Sequence, residues 1–131
     1  MIDHISLRVG DLDRSRAFYD RVLATLGYSR TMDVDEADYA AAAYGPGQEP
    51  AFAVGVGKEP MPPPQPEIGQ HIAFAAADRA SVQRFYDEAL AAGGRDNGAP
   101  GLRPEYHPNY FAAFIIDPDG YHIEAVCHQP E

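Results

Sequence analysis

The chain has one cysteine, no tryptophan, and only 10 lysines and arginines against 20 acidic residues. A lone cysteine, Cys127, cannot close an internal disulfide, which fits a reducing compartment. A net charge of -10 and a pI near 4.7 leave little of the basic surface that nucleic-acid phosphates demand. The same charge disfavours anionic membrane surfaces. No apolar run approaches the roughly 20 residues needed to cross a bilayer as a helix. The opening Met1-Ile2-Asp3-His4 has neither the basic nor the apolar region of an export signal. These absences lead to the expectation of a soluble, cytoplasmic globular protein without nucleic-acid or membrane partners.

What the sequence does contain is a repeat. Asp3-His4-Ile5, then Asp11 and Phe18-Tyr19-Asp20, returns at identical spacing as Gln70-His71-Ile72, then Asp78 and Phe85-Tyr86-Asp87. The correspondence runs without a gap through Leu23 and Leu90 to Gly27 and Gly94. A repeat this long in a chain of 131 residues signals a duplicated structural unit, and duplicated units pack with pseudo-symmetry. Equivalent residues, the two histidines first among them, can then converge on a shared centre.

Residues 2–9 alternate, with Ile5, Leu7 and Val9 on one side and His4, Ser6 and Arg8 on the other, the period of a half-buried strand. Asp11 can cap a helix reaching about Leu26, whose apolar stripe is Phe18, Tyr19, Val22, Leu23 and Leu26. Strand candidates follow at 28–33, 38–44 and 51–56, giving β-α-β-β-β. The proline-rich stretch 58–68 reads as an extended, semi-rigid linker between a first module at 1–57 and a second at 69–131. In the second module Asp78 is the cap, and Val82, Phe85, Tyr86, Ala89 and Leu90 form the stripe. A polar loop is expected from about Asn97 to Pro108, then a strand at 110–116. The hairpin turn Asp117-Pro118-Asp119-Gly120 leads into a final strand at 121–127.

In that last strand His122, Glu124 and Val126 share one face and Ile123, Ala125 and Cys127 the other. A glutamate inside an apolar strand is expensive to bury unless it is paired or bound to a metal. His4 and His71 both lie opposite the apolar faces of their strands. Two imidazoles and a carboxylate, His4, His71 and Glu124, form a set for one divalent ion (Fe, Mn, Ni, Zn or Co), with positions left open for water or substrate. His107 and Tyr110, in a loop rich in hydrogen-bonding groups beside the final strand, are candidate acid/base residues. Arg8, on the face of His4, is a candidate for holding a substrate carboxylate.

The duplicated unit, the histidine opening each copy and the closing Asp-Pro-Asp-Gly-Tyr-His-Ile-Glu resemble the vicinal oxygen chelate superfamily. That group includes glyoxalase I, extradiol dioxygenases and metal-free bleomycin-resistance proteins. The resemblance implies an α+β fold of two βαβββ modules forming a cupped mixed β-sheet with the helices outside. It also implies a homodimer, a metal held by His4, His71 and Glu124, and a small substrate that offers two adjacent oxygens. Glyoxalase I carries a fourth ligand on the last strand of its first module. Aligning 51–56 with 121–126 puts Val54 at that position, with Phe52 on the same face, and both are expected to line the substrate wall. The expected activity is lyase or isomerase chemistry with the metal as Lewis acid. The alternatives are an Fe(II) extradiol-type dioxygenase and a metal-free ligand-binding protein.

Overall fold

The computed structural model describes residues 1–62 and 69–131. The expected linker, 58–68, falls largely on 63–68, outside the described residues. The first unit is β1 (Ile5–Arg8), α1 (Leu12–Ala24), β2 (Ser29–Glu36), β3 (Tyr39–Gly45) and β4 (Phe52–Gly57). The second is β5 (Ile72–Ala75), α2 (Arg79–Ala91), β6 (Arg95–Leu102), β7 (Phe111–Ile116) and β8 (His122–Cys127). Each unit builds its own four-stranded sheet, in the orders β1-β4-β3-β2 and β5-β8-β7-β6. The first strand pairs in parallel with the last, and the remaining pairs are antiparallel. The fold class is therefore the α+β arrangement of two βαβββ modules that the repeat leads one to expect.

The helices begin where the repeat puts their caps. The Asp11 carboxylate accepts from the Arg14 amide and that of Asp78 from the Ser81 amide, each satisfying one of the free donors of a first turn. In α1 the buried positions are Leu12, Ser15, Phe18, Tyr19, Val22 and Leu23, spaced as one helical face. Gly27 (φ 82°) and Gly93 (φ 102°) take the left-handed conformation just past each helix.

Both helix-covered sheet faces drain into one core. Phe18, Tyr19, Val22 and Leu23 from α1, Val82, Phe85 and Ala89 from α2, and Phe52, Val54, Phe74, Ile115 and Ile123 from the sheets belong to a single cluster. Phe52 of β4 meets Phe74 of β5 edge-on, with ring centroids 5.2 Å apart, so the modules touch through the sides their helices cover. The opposite, open faces of the two sheets point away from that core.

The turn after β7 fastens the modules together. The Tyr19 hydroxyl donates to the Asp117 carboxylate at 2.5 Å, fully inside the core. Asp119 accepts from the Gly10 amide (2.9 Å), the Arg14 guanidinium (2.8 Å) and the Ser15 hydroxyl (3.2 Å). On the far side Arg21 of α1 pairs with Glu88 of α2 at 2.9 Å.

One element departs from the sequence reading. Residues 97–102, expected as loop, belong to β6. Gly98, Pro100 and Gly101 disguise it, and its pairing with β7 shifts register on both sides of Gly98. As the edge strand of its sheet, β6 can carry glycine, proline and bulges that an interior strand excludes.

Candidate metal centre

On the open face of the second sheet, β8 carries His122, Glu124 and Val126. Across the ladder Glu124 stands opposite Ala73 of β5 and Phe114 of β7. Its carboxylate is 1 % exposed, an expensive position for a charge without partners. It has two. The Tyr110 hydroxyl donates to Oε1 at 2.5 Å, and His71 Nε2 stands 3.1 Å from Oε2.

His71 sits one residue before β5, with its Nδ1 3.2 Å from the Gly69 carbonyl oxygen. A proton on Nδ1 satisfies that carbonyl and leaves Nε2 as a lone pair facing a carboxylate oxygen, an arrangement that calls for a cation or a second proton between them. Two donors each about 2.1 Å from an ion at right angles stand about 3.0 Å apart. The observed separation of 3.1 Å suits that bite. The chemistry of this donor pair fits a divalent metal.

His4 is not with them. Its side chain is 57 % exposed, its Nδ1 is bound to Asp3 Oδ1 at 2.7 Å, and no group of three metal-ligating side chains exists among the described residues. Within one chain, the expected triad is brought together for His71 and Glu124 only. The reason is architectural: the helix-covered faces meet in the common core, so the open faces, and the histidines flanking them, are turned apart.

The first-module wall requires a correction. Phe52 and Val54 do not line an open face. They are 2 % and 0 % exposed and pack in the core, Phe52 against Tyr19 and Phe74. Register explains the slip. Ser6 pairs with Ala53 as its repeat equivalent Ala73 pairs with Glu124, so the counterpart of Glu124 is Ala53. A shift of one residue exchanges the two faces of a strand. The signal was present in the sequence: bulky Phe52, Val54 and Val56 alternate with Ala53, Gly55 and Gly57, and the bulky set belongs with the helix, as Ile123 does in β8. Ala53 has no group that can coordinate a metal either.

Of the remaining candidates, Tyr110 touches Glu124 directly. Burial, then the hydrogen bond to the carboxylate and its charge, push the phenol up to about 12, which holds it as a donor and makes it a poor base. His107 does not reach Glu124. Its Nδ1 accepts from the Asn109 amide at 3.1 Å, and its ring stacks edge-on to His128, which in turn packs against Tyr110. Arg8 lies on the open face of the first sheet, its guanidinium across Gly57 and donating to the Glu59 carbonyl. An open cavity of about 280 Å³ runs beside His71 and His122, walled by Ile5, Leu7, Ile72 and Tyr121.

Comparison with known proteins points the same way. The family model described as Glyoxalase/Bleomycin resistance protein/Dioxygenase superfamily matches residues 1–125. A Synechocystis protein named as a probable lactoylglutathione lyase is 30 % identical, over 94 % of this chain and 92 % of its own length. A lactoylglutathione lyase of Arabidopsis thaliana is 31 % identical over 97 % of this chain, which spans only 44 % of that longer protein. Among solved structures, a glyoxalase/bleomycin resistance protein from Albidiferax ferrireducens superposes with a TM-score of 0.72 at 27 % identity, covering 98 % of both chains.

Proposed function

Since the chain belongs to the Glyoxalase/Bleomycin resistance protein/Dioxygenase superfamily, we propose that it is a metal-dependent enzyme of lyase or isomerase type, whose small substrate offers two adjacent oxygens. The observation that carries this reading is the pairing of the half-exposed His71 Nε2 with the buried Glu124 Oε2, 3.1 Å apart and arranged to hold a cation. The lactoylglutathione lyase names of the relatives support the reaction class.

His71 and Glu124 would hold the ion, and His4 of the partner subunit would complete the set in a homodimer. The exposed imidazole of His4 supports this pairing, as does the uncovered outer face of the first sheet, where Met32 and Tyr39 are half exposed. A bound divalent ion supplies Lewis acidity that stabilises an enolate or alkoxide oxygen as it forms. The chain's own groups do the rest. Glu124, fixed by Tyr110 through Oε1, presents Oε2 alone. The Gly69 carbonyl holds the His71 ring in its tautomer. Tyr110 flanks the carboxylate with His128 against its ring, and the exposed His107 beside them is the group available to carry a proton outward.

A second reading has its own observation. With Ala53 where a fourth ligand would stand, the set ends at three. Three ligands on Fe(II) leave room for a bidentate substrate and dioxygen together, the layout of ring-cleaving dioxygenases. Dioxygen uptake with catechols, against turnover of a glutathione hemithioacetal, separates the two.

The shared site has a direct test. His4→Ala and Glu124→Ala should each abolish stoichiometric metal binding. Unfolded and refolded together, the two variants should regain about a quarter of the sites, because half the dimers are mixed and each mixed dimer has one intact site. No recovery on mixing would place the ligands within one chain or dismiss His4.

A further inference from the structure

The open face of the second sheet also holds a cation that metal binding does not use. Arg103 follows β6, and its guanidinium lies 5.3 Å from the centroid of the Phe114 ring. Phe114 is the ladder neighbour of Glu124, so guanidinium and carboxylate share one face. The strand beneath is cleared for it. A Cβ at Gly98 would stand 2.8 Å from Phe114 Cδ2 and 3.4 Å from Arg103 Nη2, and one at Gly101 would stand 3.0 Å from Arg103 Nη1. The glycines that hid β6 from the sequence reading are the ones on which this side chain rests.

The polar partners of Arg103 are backbone carbonyls, those of Ala99 at 2.7 Å and Leu102 at 3.4 Å. Among the described residues no carboxylate lies within ion-pair distance of it, whereas Arg14, Arg16, Arg21, Arg30 and Arg79 each have at least one. In a chain of net charge -10, a half-buried arginine with no counter-ion among the described residues is notable. Two carbonyls and an aromatic ring orient the fork, and they leave further N–H donors of the guanidinium unspent. Arg8 repeats the pattern on the first sheet, laid over Gly57 with a carbonyl for a partner.

We propose that Arg103 is a specificity-determining residue that receives an anionic oxygen group, a carboxylate or phosphonate, on a substrate whose adjacent oxygens are held at His71 and Glu124. The proposal rests on the metal reading for the second half of that sentence only. A planar fork stacked on a ring, with its orientation already set, can offer two parallel N–H donors to such a group with little further ordering.

The test uses three hydroxamates on Co(II)-loaded protein, with affinities from calorimetry. Acetohydroxamate offers two adjacent oxygens and no further charge, succinate monohydroxamate adds a carboxylate, and phosphonoacetohydroxamate adds a phosphonate. One charged probe should bind about 10- to 100-fold tighter than acetohydroxamate, the range for a hydrogen bond to a charged group, and which one identifies the anion. Arg103→Met should erase that preference and Arg103→Lys should restore part of it. A parallel measurement needs no metal: the Arg103 Nε–Hε resonance of the apoprotein should shift saturably with inorganic phosphate. If no hydroxamate binds but the resonance shifts, the metal reading fails and the arginine assignment stands. Equal affinities with an unmoved resonance, or a preference that survives in Arg103→Met, overturn the assignment.

Discussion

The two modules share a scaffold and differ in what their open faces carry. On the helix side the pattern is held: Phe18 and Phe85 are both fully buried, and both helices start on an aspartate cap. On the open side the first sheet presents Ala41, Ala43, Ala53, Gly55 and Gly57, while the second presents Glu124, Phe114 and Tyr110 around His71. Duplication thus fixed the face that stabilises the fold and left the other free to diverge. One copy carries the carboxylate, and the other has only small side chains at the matching positions of its central strands. That division accounts for two histidines placed alike, one residue before their strands, of which only His71 stands beside a carboxylate of the sheet.

The sharpest way to break the comparison is at the carboxylate and its counterpart. A structural zinc site is worth about 10–16 kcal/mol over four ligands, so one ligand is worth about 2.5–4 kcal/mol, or roughly 70- to 900-fold in affinity. Glu124→Gln should therefore weaken metal binding by at least about 70-fold while leaving the circular dichroism unchanged. Ala53→Glu should move the other way, tightening the metal and shifting the balance of activities toward hemithioacetal isomerisation. If Glu124→Gln keeps full metal by elemental analysis, the site lies elsewhere. If Ala53→Glu leaves affinity untouched, the first sheet's open face does not oppose the second in the working assembly.

A smaller effect separates the helices. Tyr19 and Tyr86 are repeat equivalents, yet Tyr19 is fully buried and spends its hydroxyl on Asp117, while Tyr86 is half-buried at the rim of the core. Tyr19→Phe leaves a buried carboxylate short of a donor, which should reduce stability by about 1–3 kcal/mol in urea titrations. Tyr86→Phe should stay within about 0.5 kcal/mol, as surface changes do. Equal effects would mean that the Tyr19–Asp117 contact does not fasten the modules.

Much of this was readable beforehand because the repeat states its own plan. Strand alternation, aspartate caps and apolar stripes recur in step, and each copy vouches for the other. The His71–Glu124 pair came from the same logic, a histidine before one strand and a buried carboxylate in the strand that pairs with it. Three features were hidden from the pattern, and a fourth, the face of β4, was visible in it. β6 carries glycine and proline because Arg103 lies across it and because an edge strand tolerates them, so local propensity pointed to loop. The face of β4 shows in its alternation of bulky and small residues, but the connections within the two modules differ in length, so aligning the strand ends puts Val54 where Ala53 stands. The clamp at Asp117 and Asp119 was hidden because both residues are also what a turn requires, and turn chemistry alone accounted for them. Separation of His4 from its expected partners is a matter of how modules pack, which no strand pattern encodes.

The smallest effect is one of pH, and it concerns that clamp. Burial pushes the Asp117 carboxyl above its ordinary value, against the lowering influence of the Tyr19 hydroxyl and the Tyr121 and Asp119 amides. A carboxyl whose folded pKa lies above its unfolded one binds its proton more tightly in the native state. Its favourable contribution is complete below the unfolded value of about 3.8 and is lost as pH rises through the folded value. Wild-type protein should therefore gain stability relative to Asp117→Asn as pH falls from neutral towards about 4, the reverse of what an ion-paired aspartate gives. Urea midpoints for both proteins across that range measure the difference directly. If the gap narrows on acidification instead, the hydrogen bonds to Asp117 outweigh its burial, and the turn holds the modules as an anion rather than as an acid. The first module has no equivalent of this group: the connection from β3 to β4 runs through Gly45-Pro46-Gly47, without an aspartate, so only the second module's turn should make the docking of the two halves sensitive to acid.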